Sequence, residues 1–92
     1  MIYYEDIDLL EQAQNNADFY ITTRAIKCKD EEGIYWRGQI IPKLKGKNPT
    51  EKISNCYTIV TADSLEEMQV WFDLHCLNID NVYYDLQNVY YT

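Results

Sequence analysis

The sequence predicts an α+β domain, an antiparallel sheet of about four strands with two helices packed on it, in the order α-β-β-β-α-β. Three observations lead there. Asp63 to Leu77, DSLEEMQVWFDLHCL, alternates apolar and acidic residues with helical period. Three runs, Phe19–Lys29, Ile34–Ile41 and Ile53–Ala62, are rich in β-branched and aromatic residues. Asp30-Glu31-Glu32-Gly33 joins the first two as a turn, with Gly33 the residue suited to positive φ. Ninety-two residues suit one domain spanning 1–92.

Taken in order, Tyr3 to about Asn15 is the first helix. Tyr3, Ile7, Leu10, Gln14 and Ala17 share one side, Glu5 and Asp8 project from the other, and Asn15-Asn16 ends it. The first strand, Phe19–Lys29, loses its alternation near Arg24–Ile26, which reads as a bulge. In the second, Ile34, Trp36, Gly38 and Ile40 form one face, and Pro42 ends the pairing. Pro42–Lys52, with four lysines, a glycine and two prolines, reads as an exposed loop. The third strand leads into the second helix, whose Ser64 and Glu67 have capping-box spacing. Leu65, Met68, Trp71, Phe72, His75 and Cys76 lie on its broad apolar side, Glu66 and Asp73 opposite, and Glu67 at the border. Val82–Tyr91 reads as the last strand, with a helical turn at its centre as the alternative. The expected core contains Leu10, Ile21, Trp36, Ile59, Val60, Leu65, Met68 and Phe72.

Charge is the most informative feature. The net charge is −7, yet residues 1–23 and 53–92 hold no Lys or Arg at all. All eight bases fall within 24–52. Soluble surfaces normally intersperse the two signs. Base-free segments repel nucleic acid and attract basic protein surfaces wherever they reach solvent. The bland reading of each acidic helix face is an ordinary solvated one.

Catalytic patterns are missing. The one histidine, His75, falls on the apolar face and reads as a core residue. Cys28, Cys56 and Cys76 are widely spaced and suit neither a zinc site nor a disulfide framework. The three glycines form no phosphate loop. No enzyme activity, cofactor or metal is expected. The opening residues lack the pattern of a secretory signal and no run is long enough to span a bilayer, so the expected location is the cytoplasm. Nine tyrosines include the pairs Tyr3-Tyr4, Tyr83-Tyr84 and Tyr90-Tyr91. Tyrosine favours sheets and also interfaces. A homodimer through the last strand, with Tyr83, Tyr84, Tyr90 and Tyr91 at its interface, is the expectation.

The length, the acidity and the opening MIYYEDIDLLEQAQ resemble the DNA-mimic proteins that bacteriophages make against host defences, and among them the anti-restriction nuclease proteins of the T-even phages. The resemblance implies inhibition of a modification-dependent restriction enzyme of the McrBC type, a dimer, and a second target in the nucleoid protein H-NS. The basic stretch 24–52 departs from a uniformly acidic mimic. From position on the helices, Glu5, Asp8, Glu66, Glu67 and Asp73 are the expected phosphate mimics. The alternative is a non-mimic acidic interaction or immunity module that binds a basic partner. A nucleic-acid binder using the Lys43–Lys52 loop ranks below both, since that loop lacks interleaved aromatics.

Overall fold

Asp6 ends one element and starts the next. In the computed structural model, which describes residues 1–46 and 55–84, its backbone N–H donates to the Ile59 carbonyl at 2.8 Å, closing strand β1 (Ile2–Glu5). Its side chain accepts from Leu9 N at 3.0 Å and caps helix α1 (Ile7–Gln14). The expected helix from Tyr3 is therefore corrected. Ile2, Tyr3 and Tyr4 are residues that favour a strand, and they take one because β4 offers them a partner.

The remaining elements are β2 (Phe19–Asp30), β3 (Gly33–Leu44), β4 (Tyr57–Ala62), α2 (Leu65–Leu74) and β5 (Asn81–Tyr83). Among the described residues the sheet has five strands, ordered β1-β4-β3-β2-β5. It is mixed, because β5 pairs with β2 in parallel and every other pair is antiparallel. The α+β class stands. The strand count and the all-antiparallel sheet are corrected, as is the order, which begins with a strand.

The β2–β3 hairpin turns at Glu31-Glu32. Asp30 Oδ1 accepts from Glu32 N at 2.8 Å, and Gly33 adopts φ 126°, as the sequence suggests. Its register runs unbroken from Asp30↔Gly33 to Phe19↔Leu44, so no bulge interrupts β2. Pro42 does not end β3. It pairs with Ile21 beyond Ile40, the last residue of β3 paired to β4, where β3 is locally an edge that tolerates proline.

The irregularity sits in β4 instead. Val60 pairs with Gly38 and Thr58 with Gln39, leaving Ile59 without a counterpart. This extra residue lets Ile59 and Val60, neighbours that strict alternation would send to opposite faces, both reach the core. Both helices pack on that face. Leu10 of α1 and Met68, Trp71 and Phe72 of α2 join Ala25, Trp36, Ile40, Ile59, Val60 and Ala62 in one buried cluster. Ile21 and Leu65 are half-buried at its margin. On the opposite face Ile26 and Cys28 form a second cluster with Tyr35 and Tyr83. Beside it, Arg24 Nε donates to Gln39 Oε1 at 2.8 Å, and Gln39 Nε2 to Thr58 Oγ1 at 3.0 Å. That row of polar bonds across three strands satisfies the buried Gln39 amide.

The start of β5 is held by Thr23. On its β5 side, β2 has no paired strand before Arg24 among the described residues, and Asp80 fills the gap: its carboxylate accepts from Thr23 N at 2.9 Å, and its own N–H donates to Thr23 Oγ1 at 2.9 Å. Thr23 Oγ1 also donates to the Asn78 carbonyl. Helix α2 stops in a Schellman arrangement, with Leu77 N bonded to the Phe72 carbonyl at 2.9 Å and Cys76 N to that of Asp73 at 3.1 Å. Cys76 therefore sits at φ 58°, outside the helix and exposed, not on its apolar face.

These geometries set the stability effects of three substitutions. Cys76→Gly should stabilise the chain by about 0.5–1 kcal/mol, because glycine adopts this left-handed position without the Cβ penalty. A denaturant melt checks it, and a loss of stability would contradict it. A Cβ on Gly38 would lie 2.5 Å from Val60 Cγ1 and 2.8 Å from Phe72 Cε2. Gly38→Ala should thus destabilise by about 1–3 kcal/mol through overpacking, and Phe72→Ala by about 3–5 kcal/mol through a cavity. Neutral melts for both would mean that Phe72 does not sit on the sheet.

Candidate functional site

The two helices and their caps form a layer over one face of the sheet, and the ionisable chemistry of that layer is acidic. Asp6, Asp8 and Glu11 belong to α1 and its cap. Asp63, Glu66, Glu67 and Asp73 belong to α2 and the residues leading into it. Neither helix has a basic residue in its last turn, where the helix dipole would favour one. Among the described residues the bases are Arg24, Lys27, Lys29, Arg37, Lys43 and Lys45, all on β2, β3 or the turn after β3. Lys47 and Lys52 lie outside the described residues.

The five carboxylates expected to act as phosphate mimics divide into two groups. Asp8, Glu66 and Asp73 are exposed on helix surfaces, as expected. Glu66 and Asp73 are two turns apart, about 10 Å along the axis. Glu5 is exposed too but ends strand β1 instead of lying on a helix, and its Oε2 accepts from the buried Trp71 indole Nε1 at 2.8 Å. That hydrogen bond satisfies the one polar atom of a large buried ring, which is a structural task. Glu67 is half-buried and bonded to the Met1 ammonium. Its backbone N–H, meanwhile, donates to Ser64 Oγ at 3.2 Å, so the Ser64 cap forms as the spacing predicts. Sequence reasoning passed over Glu11, exposed one turn beyond Asp8. The signal was available, since residues three apart share a helix side.

Asp63 adds a charge held in place. Tyr3 donates its hydroxyl to Asp63 Oδ1 at 2.5 Å, and the Met1 ammonium lies 3.1 Å from Oδ2. The Tyr3 hydrogen bond, assisted by that ammonium, lowers the Asp63 pKa from its ordinary 3.8. The same hydrogen bond raises that of Tyr3 above 10.0. Tyr4 is raised as well, first by desolvation and then by the neighbouring Asp6.

The tyrosines expected at a dimer interface are partly engaged within the chain. Tyr83 packs against Ile26 and Cys28, and the exposed Tyr84 sets its ring edge-on to Trp36 at 5.5 Å. Tyr90 and Tyr91 lie outside the described residues, as does most of the expected last strand. His75 is half-buried and packs against Trp71, with centroids 4.3 Å apart and the rings tilted by 43°, instead of entering the core. A cleft of about 460 Å³ beside the hairpin turn is walled by Tyr3, Asp30, Glu32, Tyr35, Arg37 and Asp63. Arg37 donates there to the Tyr35 hydroxyl at 2.9 Å. Among the described residues no group of three or more His, Cys, Asp or Glu is placed to hold a metal ion, and no helix is long and apolar enough to cross a membrane.

The Tyr3–Asp63 pair makes a pH prediction with two arms. The Asp63 pKa is depressed in the folded state, so its contribution is present above the ordinary carboxylate range and is lost as pH falls through the folded value. The Tyr3 pKa is raised, so its contribution is present below pH 10.0 and is lost as pH rises through the folded value. NMR titration of Tyr3→Phe should show Asp63 moving back up toward 3.8. An unchanged Asp63 titration would sink the assignment. As to relatives, no protein-family model, no curated protein and no solved structure matches this chain.

Proposed function

We propose that this chain is an acidic DNA-mimic protein that inhibits a DNA-binding host defence protein by occupying its DNA-binding site. The proposed target class is a modification-dependent restriction endonuclease of the McrBC type. One observation carries the reading: the helical layer presents Asp8, Glu11, Glu66 and Asp73 to solvent without a Lys or Arg among its residues. Among the described residues the bases are confined to two adjacent strands and the turn that follows.

The physics of substitution is direct. Duplex DNA carries one charge per about 1.7 Å of axis, or one per about 3.4 Å along each strand. The axial spacing of Glu66 and Asp73, about 10 Å, matches about three steps of one strand. Carboxylates on helices packed against a sheet are rigid acceptors, and a protein that grips phosphate presents Lys and Arg at fixed positions. Attraction between the two surfaces speeds encounter, and charge-assisted hydrogen bonds fix register. No covalent bond is made or broken, so the action is inhibition by occupancy. The tie of Glu67 to the Met1 ammonium and of Glu5 to Trp71 leaves Asp8, Glu66 and Asp73 as the principal mimics.

The test is displacement of duplex DNA from a restriction endonuclease of this type. Glu66→Lys combined with Asp73→Lys should abolish displacement, because two attractions become repulsions. Both positions are exposed, so stability should change by no more than about 0.5 kcal/mol per site. Lys29→Glu combined with Lys45→Glu should leave displacement intact. The reverse pattern would assign the activity to the basic strands and refute the acidic-face reading.

A further inference from the structure

A surface that only imitated phosphates would gain nothing from exposed aliphatic side chains, yet α2 has two. Val70 is 58% exposed and Leu74 75%. At about 100° per residue, Val70 falls about 40° round the helix from Glu66, and Leu74 about 40° further on. Asp73 lies beside Glu66 on one flank, and Glu67 borders Leu74 on the other. The two aliphatic residues thus form a stripe with carboxylates on both sides. It opens onto a groove of about 250 Å³ lined by Ile2, Glu67, Val70, Trp71 and Leu74. Ile2 belongs to β1, the outermost strand at this end of the described sheet, so the groove lies along the sheet edge.

We propose that this groove docks a basic amphipathic segment of the protein partner, with an apolar residue seated between Val70, Leu74 and Trp71 and Lys or Arg residues reaching Glu66 and Asp73. The proposal rests on the acidic-face reading and adds to it the chemical class of the contacting segment. Charge complementarity selects this occupant. A second copy of the chain would set Glu66, Glu67 and Asp73 against their own equivalents, and an anionic membrane would be repelled by the same residues. A basic segment without apolar residues would leave the aliphatic stripe in water. The amphipathic one satisfies both parts, in the manner of a helix laid in a groove. The contact also has no counterpart in duplex DNA. It gives the complex a component that salt does not screen, so the partner distinguishes this surface from its nucleic-acid ligand.

Two synthetic peptides of equal charge test it without the target: a Lys/Leu peptide with apolar residues at i, i+3, i+4 and i+7, and a Lys/Gln peptide with glutamine at those positions. Wild type should bind the first at least about tenfold more tightly, the equivalent of about 1.4 kcal/mol. Val70→Gln combined with Leu74→Gln should bring the ratio near one while leaving the circular dichroism and melting temperature unchanged. Glu66→Gln combined with Asp73→Gln should weaken both peptides and preserve the ratio. In the unmodified chain, the Val70 and Leu74 methyl resonances should shift with the Lys/Leu peptide and stay in place with the other. A wild-type ratio near one, a ratio that survives the double glutamine change at 70 and 74, unchanged affinity for both peptides after the change at 66 and 73, or silent methyl groups would each overturn the proposal. DNA displacement is read separately, so a failure here leaves the mimicry test standing, and the converse.

Discussion

The seat of Phe72 on the sheet is the constraint on which the surface depends. Its ring lies over Gly38 and beside Val60, in a space too small to admit even a methyl group on Gly38. The extra residue in β4 places Ile59 and Val60 together beneath α2. Trp71 crosses the Phe72 ring edge-on at 5.5 Å and ties its indole to Glu5 of β1. A helix anchored at two consecutive residues cannot roll. Its rotation therefore decides that Glu66, Val70, Asp73 and Leu74 meet solvent and that Met68 does not. Packing in the core, not charge, sets where the charges point.

Against that scaffold, the segregation of charge acquires a spatial meaning. The sequence runs acidic, basic, acidic. The fold brings the two acidic segments together, because α1 and α2 cover the same face of the sheet. The described basic residues stay on β2 and β3 and in the turn after them. Local electrostatics adjusts the count. The Met1 ammonium draws on Asp63 and Glu67, while the Tyr3 hydroxyl keeps Asp63 ionised by favouring its charged form. The carboxylates left exposed and unengaged are fewer than composition suggests, but they stand on helices anchored to the sheet.

Much of this was legible in the sequence wherever the signal is local. The Ser64 cap, the Asp30–Gly33 turn, the β2–β3 hairpin and the burial of Leu10, Met68 and Phe72 all follow from spacing within a few residues. What was not legible depends on partners distant in the chain. Tyr3 and Tyr4 fit a helical wheel as well as a strand, and only the availability of β4, more than fifty residues on, decides the matter. The parallel pairing of β5 depends on Thr23 and Asp80, 57 residues apart. The same limit applies to the candidate site. Exposed Asp8, Glu66 and Asp73 could be read from periodicity, whereas the engagement of Glu5 by Trp71, 66 residues away, could not.

The helical layer is proposed to meet a DNA-binding protein where duplex DNA would otherwise lie. Chemical-shift mapping of the isotopically labelled chain against the DNA-binding domain of a modification-dependent restriction endonuclease tests it most directly. The account predicts perturbations centred on Asp8, Glu66 and Asp73 that are reversed by adding duplex DNA. Perturbations centred on Lys29, Lys43 and Lys45, or a complex that duplex DNA leaves intact, would contradict it.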